Sequence, residues 1–186
     1  MARADSRMIP LGTIAPDFTL QEPASGQWLT LEDCTGAQGV LVMFICNHCP
    51  YVKLYNAELA QLARDFMPQG IGIVAINSND VDAYPEDAPD KMVLESQKHG
   101  YSFPYLYDES QSVARAYQAE CTPDLFLFDQ SLECVYRGRL DDSTPGNDKP
   151  VTGQDLRFAL QSLLGGVAIS SEQKPSMGCG IKWKND

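Results

Sequence analysis

Two cysteines three positions apart, Cys46 and Cys49, enclose Asn47 and His48 and are followed by Pro50. They sit where the strand-like run Val40-Leu41-Val42-Met43-Phe44-Ile45 gives way to a helical pattern. Thiols at that spacing can close on each other as a disulfide and reopen, so they read as a redox pair. With Cys46 at the helix N-terminus, unpaired backbone N–H groups and the positive end of the macrodipole would stabilise its thiolate. Its pKa would then fall from about 8.5 into the range of roughly 3.5–7.5 that such pairs show. His48, as an imidazolium between the sulfurs, would favour the thiolate and the reduced form, which makes a stronger oxidant than a pair flanked by neutral residues.

Positioning these groups requires a core, and 186 residues with 44% hydrophobic content can supply one in a single domain. A net charge of -11 argues against nucleic acid or an anionic membrane as partner, since both select clustered Lys and Arg. Residues 1–10 carry two arginines but no apolar h-region, and no window approaches the roughly 20 apolar residues of a membrane span. The expectation is a soluble, cytoplasmic chain. In a reducing compartment, six cysteines favour catalysis or metal binding over a disulfide framework.

Taken in order, residues 1–15 read as a flexible lead-in, Pro16–Leu20 as a short strand, and Trp28, Leu29 and Leu31 as its hairpin partner across Gly26. Val40–Ile45 suits a strand buried on both faces. Pro50 fits the first turn of a helix, whose Val52, Tyr55, Leu59, Leu62 and Phe66 share one face. Pro68 and Gly70 end it, and Ile71–Ile76 is a second buried strand, completing a βαβ unit with the cysteines at the C-terminal end of its first strand. Asn77–Asp90 reads as a solvated acidic loop, without the glycine and terminal glutamate of a calcium-binding loop. A helix to His99 follows, then extended Phe103–Tyr107 and a short helix capped by Ser110. Leu125–Phe128 and Cys134–Tyr136 form a hairpin, Thr152 opens a last helix, and residues 167–186 form a C-terminal tail after a domain spanning 1–166.

This order resembles the thioredoxin fold, an α/β architecture with a central mixed sheet flanked by helices. The N-terminal hairpin extension resembles that of the redoxin and peroxiredoxin branch. Gly12-x-x-Ala15-Pro16-Asp17-Phe18 resembles the opening of those proteins, and Thr122-Pro123 before Leu125-Phe126-Leu127-Phe128-Asp129 resembles their strand that begins with a cis proline. A peroxiredoxin-like subgroup, related to alkyl hydroperoxide reductase and thiol-specific antioxidant proteins, carries three boxes: Cys-Asn-His-Cys-Pro, Cys-Thr-Pro and Gly-Cys-x-Ile-Lys-Trp-Lys. All three are here, the last as Gly178–Lys184. The resemblance implies that Cys46 and Cys49 are catalytic with His48 tuning them, and that Thr122 and Pro123 bind substrate, with Cys121 beside them. Two departures weigh against a fast peroxidase: neither cysteine has the Pro-x-x-x-Thr/Ser-x-x-Cys frame, and the position of the peroxide-activating arginine falls at or next to Pro123. Arg115, Arg137 or Arg139 would have to replace it in space. Val40 stands where thioredoxins keep a buried Asp.

Other uses of these residues are blander. A zinc site needs ligands that no second C-x-x-C or His pair supplies, so no metal and no prosthetic group is expected. Cys34, in a loop, and Cys134, in a hairpin strand, look incidental, and His99 would face helix-end carbonyls. Cys179 is either a resolving or regulatory thiol or part of a tail docked by Ile181 and Trp183. Three functions stay open: a thiol–disulfide oxidoreductase, a slow or specialised thiol peroxidase, and a non-enzymatic redox-sensing or metal-binding module. For the first, the partners would be a disulfide or dithiol substrate, a protein above all, and a thiol reductant such as a thioredoxin system or glutathione. The chain would act as a monomer or homodimer.

Overall fold

β4 (Gly39–Phe44) is buried along its whole length, as its unbroken apolar run requires, and it is the axis of a seven-stranded mixed sheet. A computed structural model describes residues 3–184. β4 runs parallel to β5 (Ile71–Asn77), with Val42 opposite Val74, and antiparallel to β8 (Asp124–Phe128), with Val42 opposite Phe126. The remaining strands are β2 (Thr19–Gln21), β3 (Trp28–Thr30), β6 (Tyr105–Tyr107) and β9 (Cys134–Tyr136), giving the order β3-β2-β6-β5-β4-β8-β9. This is the thioredoxin-like arrangement with its N-terminal hairpin.

Alternation along β4 divides the interior into two cores. Leu41 and Met43 pack toward Leu59, Leu62 and Leu160, whereas Val40, Val42 and Phe44 face Tyr117, Phe126 and Phe128. In the second core Phe44 sits 5.5 Å from Tyr117 and 6.0 Å from Phe126, centroid to centroid, in tilted and edge-on geometries that suit the ring quadrupoles. The first core is covered by α2 (Pro50–Phe66), whose buried stripe is Val52, Tyr55, Leu59, Leu62 and Phe66, and by α5 (Gln154–Leu164). Gly70, at φ 92°, takes the left-handed conformation that ends the α2 segment and turns the chain into β5. α1 (Leu31–Cys34), α3 (Pro89–His99) and α4 (Ser112–Ala116) complete the helices. No helix among the described residues is long and apolar enough to cross a membrane.

Several expectations need correction. Within the supposed flexible lead-in, β1 (Arg3–Asp5) is a strand, and Ile9 and Ala15 are buried. The supposed tail contains β10 (Met177–Gly180), which lies between β1 and β7 (Cys121–Thr122) in a second, three-stranded sheet. The acidic loop after β5 is not solvated throughout: Asn77, Ser78, Asn79 and Asp87 are buried. Cys34 ends α1 rather than lying in a loop, and His99 Nε2 meets Asn56 and Glu95 side chains at 2.9 Å each rather than helix carbonyls. The N-cap of α4 is Gln111 rather than Ser110; Asp108 Oδ2 accepts from the Ala114 N–H at 2.9 Å inside the helix, while Ser110 Oγ bonds Asp108 Oδ1 and the hydroxyl and N–H of Ser112. α5 follows Gly153 as its N-cap; Thr152 precedes that cap.

Candidate active site

α2 begins at Pro50, so its N-cap is Cys49 and not Cys46. The missing N–H of proline at the first helical position costs nothing, because that donor would have no helical acceptor. The helix therefore starts at the second cysteine of the motif, whose side chain makes no capping hydrogen bond. The Cys46 thiol, the Cys179 thiol and the backbone amides of Val52 and Cys179 all act on its sulfur. Led by the Cys46 hydrogen bond and opposed by burial, these hold the Cys49 pKa down at about 5. Against them, the Cys49 thiol donates to the Thr122 carbonyl oxygen at 3.1 Å, a contact that favours the protonated form. Cys46 is pushed the other way, first because its thiol donates to Cys49, then by burial and by the negative charge of Asp87. Cys46 lies outside the helix start and faces a carboxylate, so the directions of the two shifts run against the expectation that Cys46 is the ionised sulfur.

His48 also does something other than expected. Its Nδ1 is 2.6 Å from Asp87 Oδ2, and its ring stacks on Tyr84 at 5.3 Å with an interplanar angle of 10°. Asp87 Oδ1 accepts from the Asn47 N–H at 2.8 Å, and Oδ2 accepts from Asn79 Nδ2 at 2.8 Å. A carboxylate that only accepts makes Nδ1 the proton-bearing nitrogen of the imidazole. Tyr105 OH donates to Asn47 Oδ1 at 2.9 Å, and Asn77 Nδ2 to the Asp87 carbonyl at 3.0 Å. This network fixes the loop between the two cysteines onto the turn at Pro85–Asp87. Ligand atoms of Cys46, His48 and Asp87 lie within 4.8 Å of one another, yet both carboxylate oxygens are already filled by donors without any ion.

The Thr122–Pro123 peptide bond is cis, as the resemblance implies. Thr122 touches both sulfurs, its Oγ1 3.3 Å from Cys46 Sγ and its carbonyl 3.1 Å from Cys49 Sγ. Cys121 stands apart: its thiol donates to the Pro123 carbonyl at 3.5 Å, and burial, followed by the charge of Asp124, raises its pKa far above the usual range. Arg137 is engaged by Ile9 and Gln173, Arg139 by Asp155, and Arg115 stacks on Trp183.

The C-terminal box walls the site. Gly178 admits β10 against Thr122, whose carbonyl oxygen a Cβ there would meet at 2.0 Å. Ile181 is buried, and Lys182 Nζ lies 5.6 Å over the Tyr84 ring. The backbone after the strand is pinned by Asn79 Oδ1, which accepts from the Lys182 N–H at 2.9 Å, and by Gln111 Nε2, which donates to its carbonyl at 2.8 Å. The sulfurs are enclosed in consequence, with Cys46 1%, Cys49 0% and Cys179 6% exposed. A groove of ≈ 250 Å³ opens beside Pro123, between Met177 and Ser143.

Sequence reasoning missed Asp87, Tyr84, Asn79 and Lys182 as members of the site. The one legible signal was polar Asn77-Ser78-Asn79 directly after a buried strand, at the sheet end where sites form.

The AhpC/TSA family profile matches residues 11–137. A thiol-disulfide oxidoreductase ResA of Halalkalibacterium halodurans is 27% identical over 132 residues, 71% of this chain and 70% of that one. A solved structure of an uncharacterized conserved protein from Geobacillus kaustophilus is 53% identical with a TM-score of 0.98, covering 100% of this chain and 98% of that one. A hypothetical protein from Sinorhizobium meliloti is 48% identical with a TM-score of 0.95, covering 98% and 99%.

Proposed function

This chain belongs to the AhpC/TSA family, and from that membership and the sulfur geometry we propose that it is a thiol–disulfide oxidoreductase using Cys46 and Cys49. The observation that carries the reading is the C-x-x-C pair at the start of α2, with both sulfurs against Thr122. The name of the ResA relative agrees with it. The Cys49 thiolate attacks a substrate disulfide, one substrate thiolate leaves, and Cys46 displaces the other. The two cysteines give two electrons, the substrate leaves as two thiols, and the pair becomes a disulfide; the reverse direction oxidises a dithiol. Thr122 Oγ1 can hydrogen-bond Cys46 while its proton departs.

A disulfide or dithiol substrate, foremost a protein, and a thiol reductant such as a thioredoxin system or glutathione go with this reading. So do a monomer or homodimer and a cytoplasmic setting, where six thiols stay reduced. Pro123 lines the groove where substrate would approach, whereas Cys121, buried and paired with β10, lies behind it.

Redox titration against glutathione buffers with mass mapping tests the proposal. A Cys46–Cys49 disulfide with a single two-electron midpoint is expected, near roughly -270 mV for a reductase or -120 to -180 mV for an oxidase or isomerase. Failure of Cys49 to form any intramolecular disulfide across that span would refute it. A peroxidase would instead oxidise one thiol with hydrogen peroxide far faster than an ordinary thiol reacts, which stopped-flow mixing detects.

A further inference from the structure

Cys179 reaches the site from a segment that the C-x-x-C motif does not need. Its strand, β10, pairs with β7 so that Cys179 stands opposite Thr122 and Gly180 opposite Cys121. The chain's own strand therefore lies along the main-chain edge beside the cis proline, where an extended substrate could otherwise pair. Gly178 makes that approach possible, since any side chain there would strike the Thr122 carbonyl. Cys49 Sγ touches the Thr122 carbonyl at 3.1 Å, the very residue that Cys179 faces across the β10–β7 pair, and all three cysteines belong to one buried cluster. Burial and the hydrogen bond to Cys49 keep Cys179 protonated, with its pKa pushed up to about 12. Thr122 is thus a shared neighbour of Cys46, Cys49 and Cys179, and both Cys46 and Cys179 act on the Cys49 sulfur.

We infer that Cys49 is the shared member of two alternative disulfides, and that Cys179 is a second resolving thiol alongside Cys46. This rests on the thiol–disulfide exchange proposed above. The Cys49 thiolate attacks a disulfide RSSR, the S–S bond breaks, and the first RS⁻ leaves and takes a proton from water. The Cys179 sulfur then attacks Cys49 Sγ of the mixed disulfide, and its proton passes to the departing second RS group. The products are two RSH and a Cys49–Cys179 disulfide, with two electrons moved from the two cysteines to the substrate. The Cys46 thiol can afterwards displace Cys179 from Cys49 without net oxidation. Bonded to Cys49, Cys179 ties β10 down over Thr122; bonded through Cys46, the pair leaves β10 held only by hydrogen bonds and packing.

The test uses the full chain with oxidised glutathione, acid quenching, alkylation and peptide mass mapping. In Cys46→Ser, a Cys49–Cys179 disulfide should form and the glutathione adduct on Cys49 should stay scarce. In Cys46→Ser/Cys179→Ser that adduct should accumulate by at least about tenfold, because no thiol at high effective concentration remains to expel it. Equal adduct in both variants, with no Cys49–Cys179 peptide, overturns the inference. Wild-type protein quenched at early times gives a second readout that does not depend on the variants folding: both pairings should appear, and a lone Cys46–Cys49 disulfide at every time overturns the inference while leaving the oxidoreductase reading intact. No disulfide at Cys49 in the wild type overturns both.

Discussion

Replacing Cys46 by alanine removes the largest single influence that keeps Cys49 ionised, and the consequence can be worked out from the site. Cys49 is held at about 5 by the Cys46 thiol first, then by Cys179 and the Val52 and Cys179 amides. A hydrogen bond to a charged group is worth about 1.5–3 kcal/mol, and about 1.4 kcal/mol corresponds to one pH unit. In Cys46→Ala the thiolate midpoint should therefore climb to about 6–7, because the remaining donors stay in place. Absorbance of the reduced protein at 240 nm, followed from pH 3 to 10, reads thiolate directly and does not require a reagent to reach a closed site. Cys49→Ser should abolish the low transition altogether. If the transition near 5 instead survives in Cys49→Ser and vanishes in Cys46→Ala, the helix-capped sulfur is not the ionised one and the electrostatic argument fails.

Three further outcomes follow from the same geometry. Because the folded Cys49 pKa of about 5 lies below the usual 9.0, its stabilising contribution is complete above the unfolded value and disappears as pH falls through about 5. The stability of reduced wild type minus that of Cys49→Ser, from urea unfolding, should accordingly grow between pH 5 and 9 by up to a few kcal/mol; a flat difference contradicts the assignment. Asp87→Ala strands the Asn47 amide, His48 Nδ1–H and the Asn79 amide, and at about 1–3 kcal/mol per orphaned donor should cost at least about 3 kcal/mol in the same assay. A loss under 1 kcal/mol would mean water replaces the carboxylate freely. Gly178→Ala places a methyl 2.0 Å from the Thr122 carbonyl, so β10 must move, lowering stability by about 1–3 kcal/mol and speeding alkylation of Cys49. Unchanged alkylation would show that β10 does not close the site.

The parts of the molecule written in contiguous sequence were the easiest to read. Val40–Ile45, the α2 stripe and Ile71–Ile76 announce their periods, and together they put the cysteines at the strand ends. The helix start was legible too: Pro50 at the first helical position makes residue 49 the cap, and giving the dipole to Cys46 overlooked that sign. Asp87 was not legible, because nothing local separates it from Asp80, Asp82 or Asp90. Only the closure of the chain onto Asn47 and His48, 40 and 39 residues away, selects it. The C-terminal strand was hidden for a related reason, since Met177–Gly180 has no hydrophobic alternation and owes its strand geometry to partners on both sides.

That dependence has a consequence for folding. Among the described residues β10 is the last strand in sequence, and until it docks, the edge at Cys121 and Thr122 lacks the strand that pairs with it. A chain in which the seven-stranded sheet has formed but β10 has not docked holds its C-x-x-C motif without that wall, so alkylating or oxidising reagents reach Cys49 sooner in such an intermediate than in the finished fold.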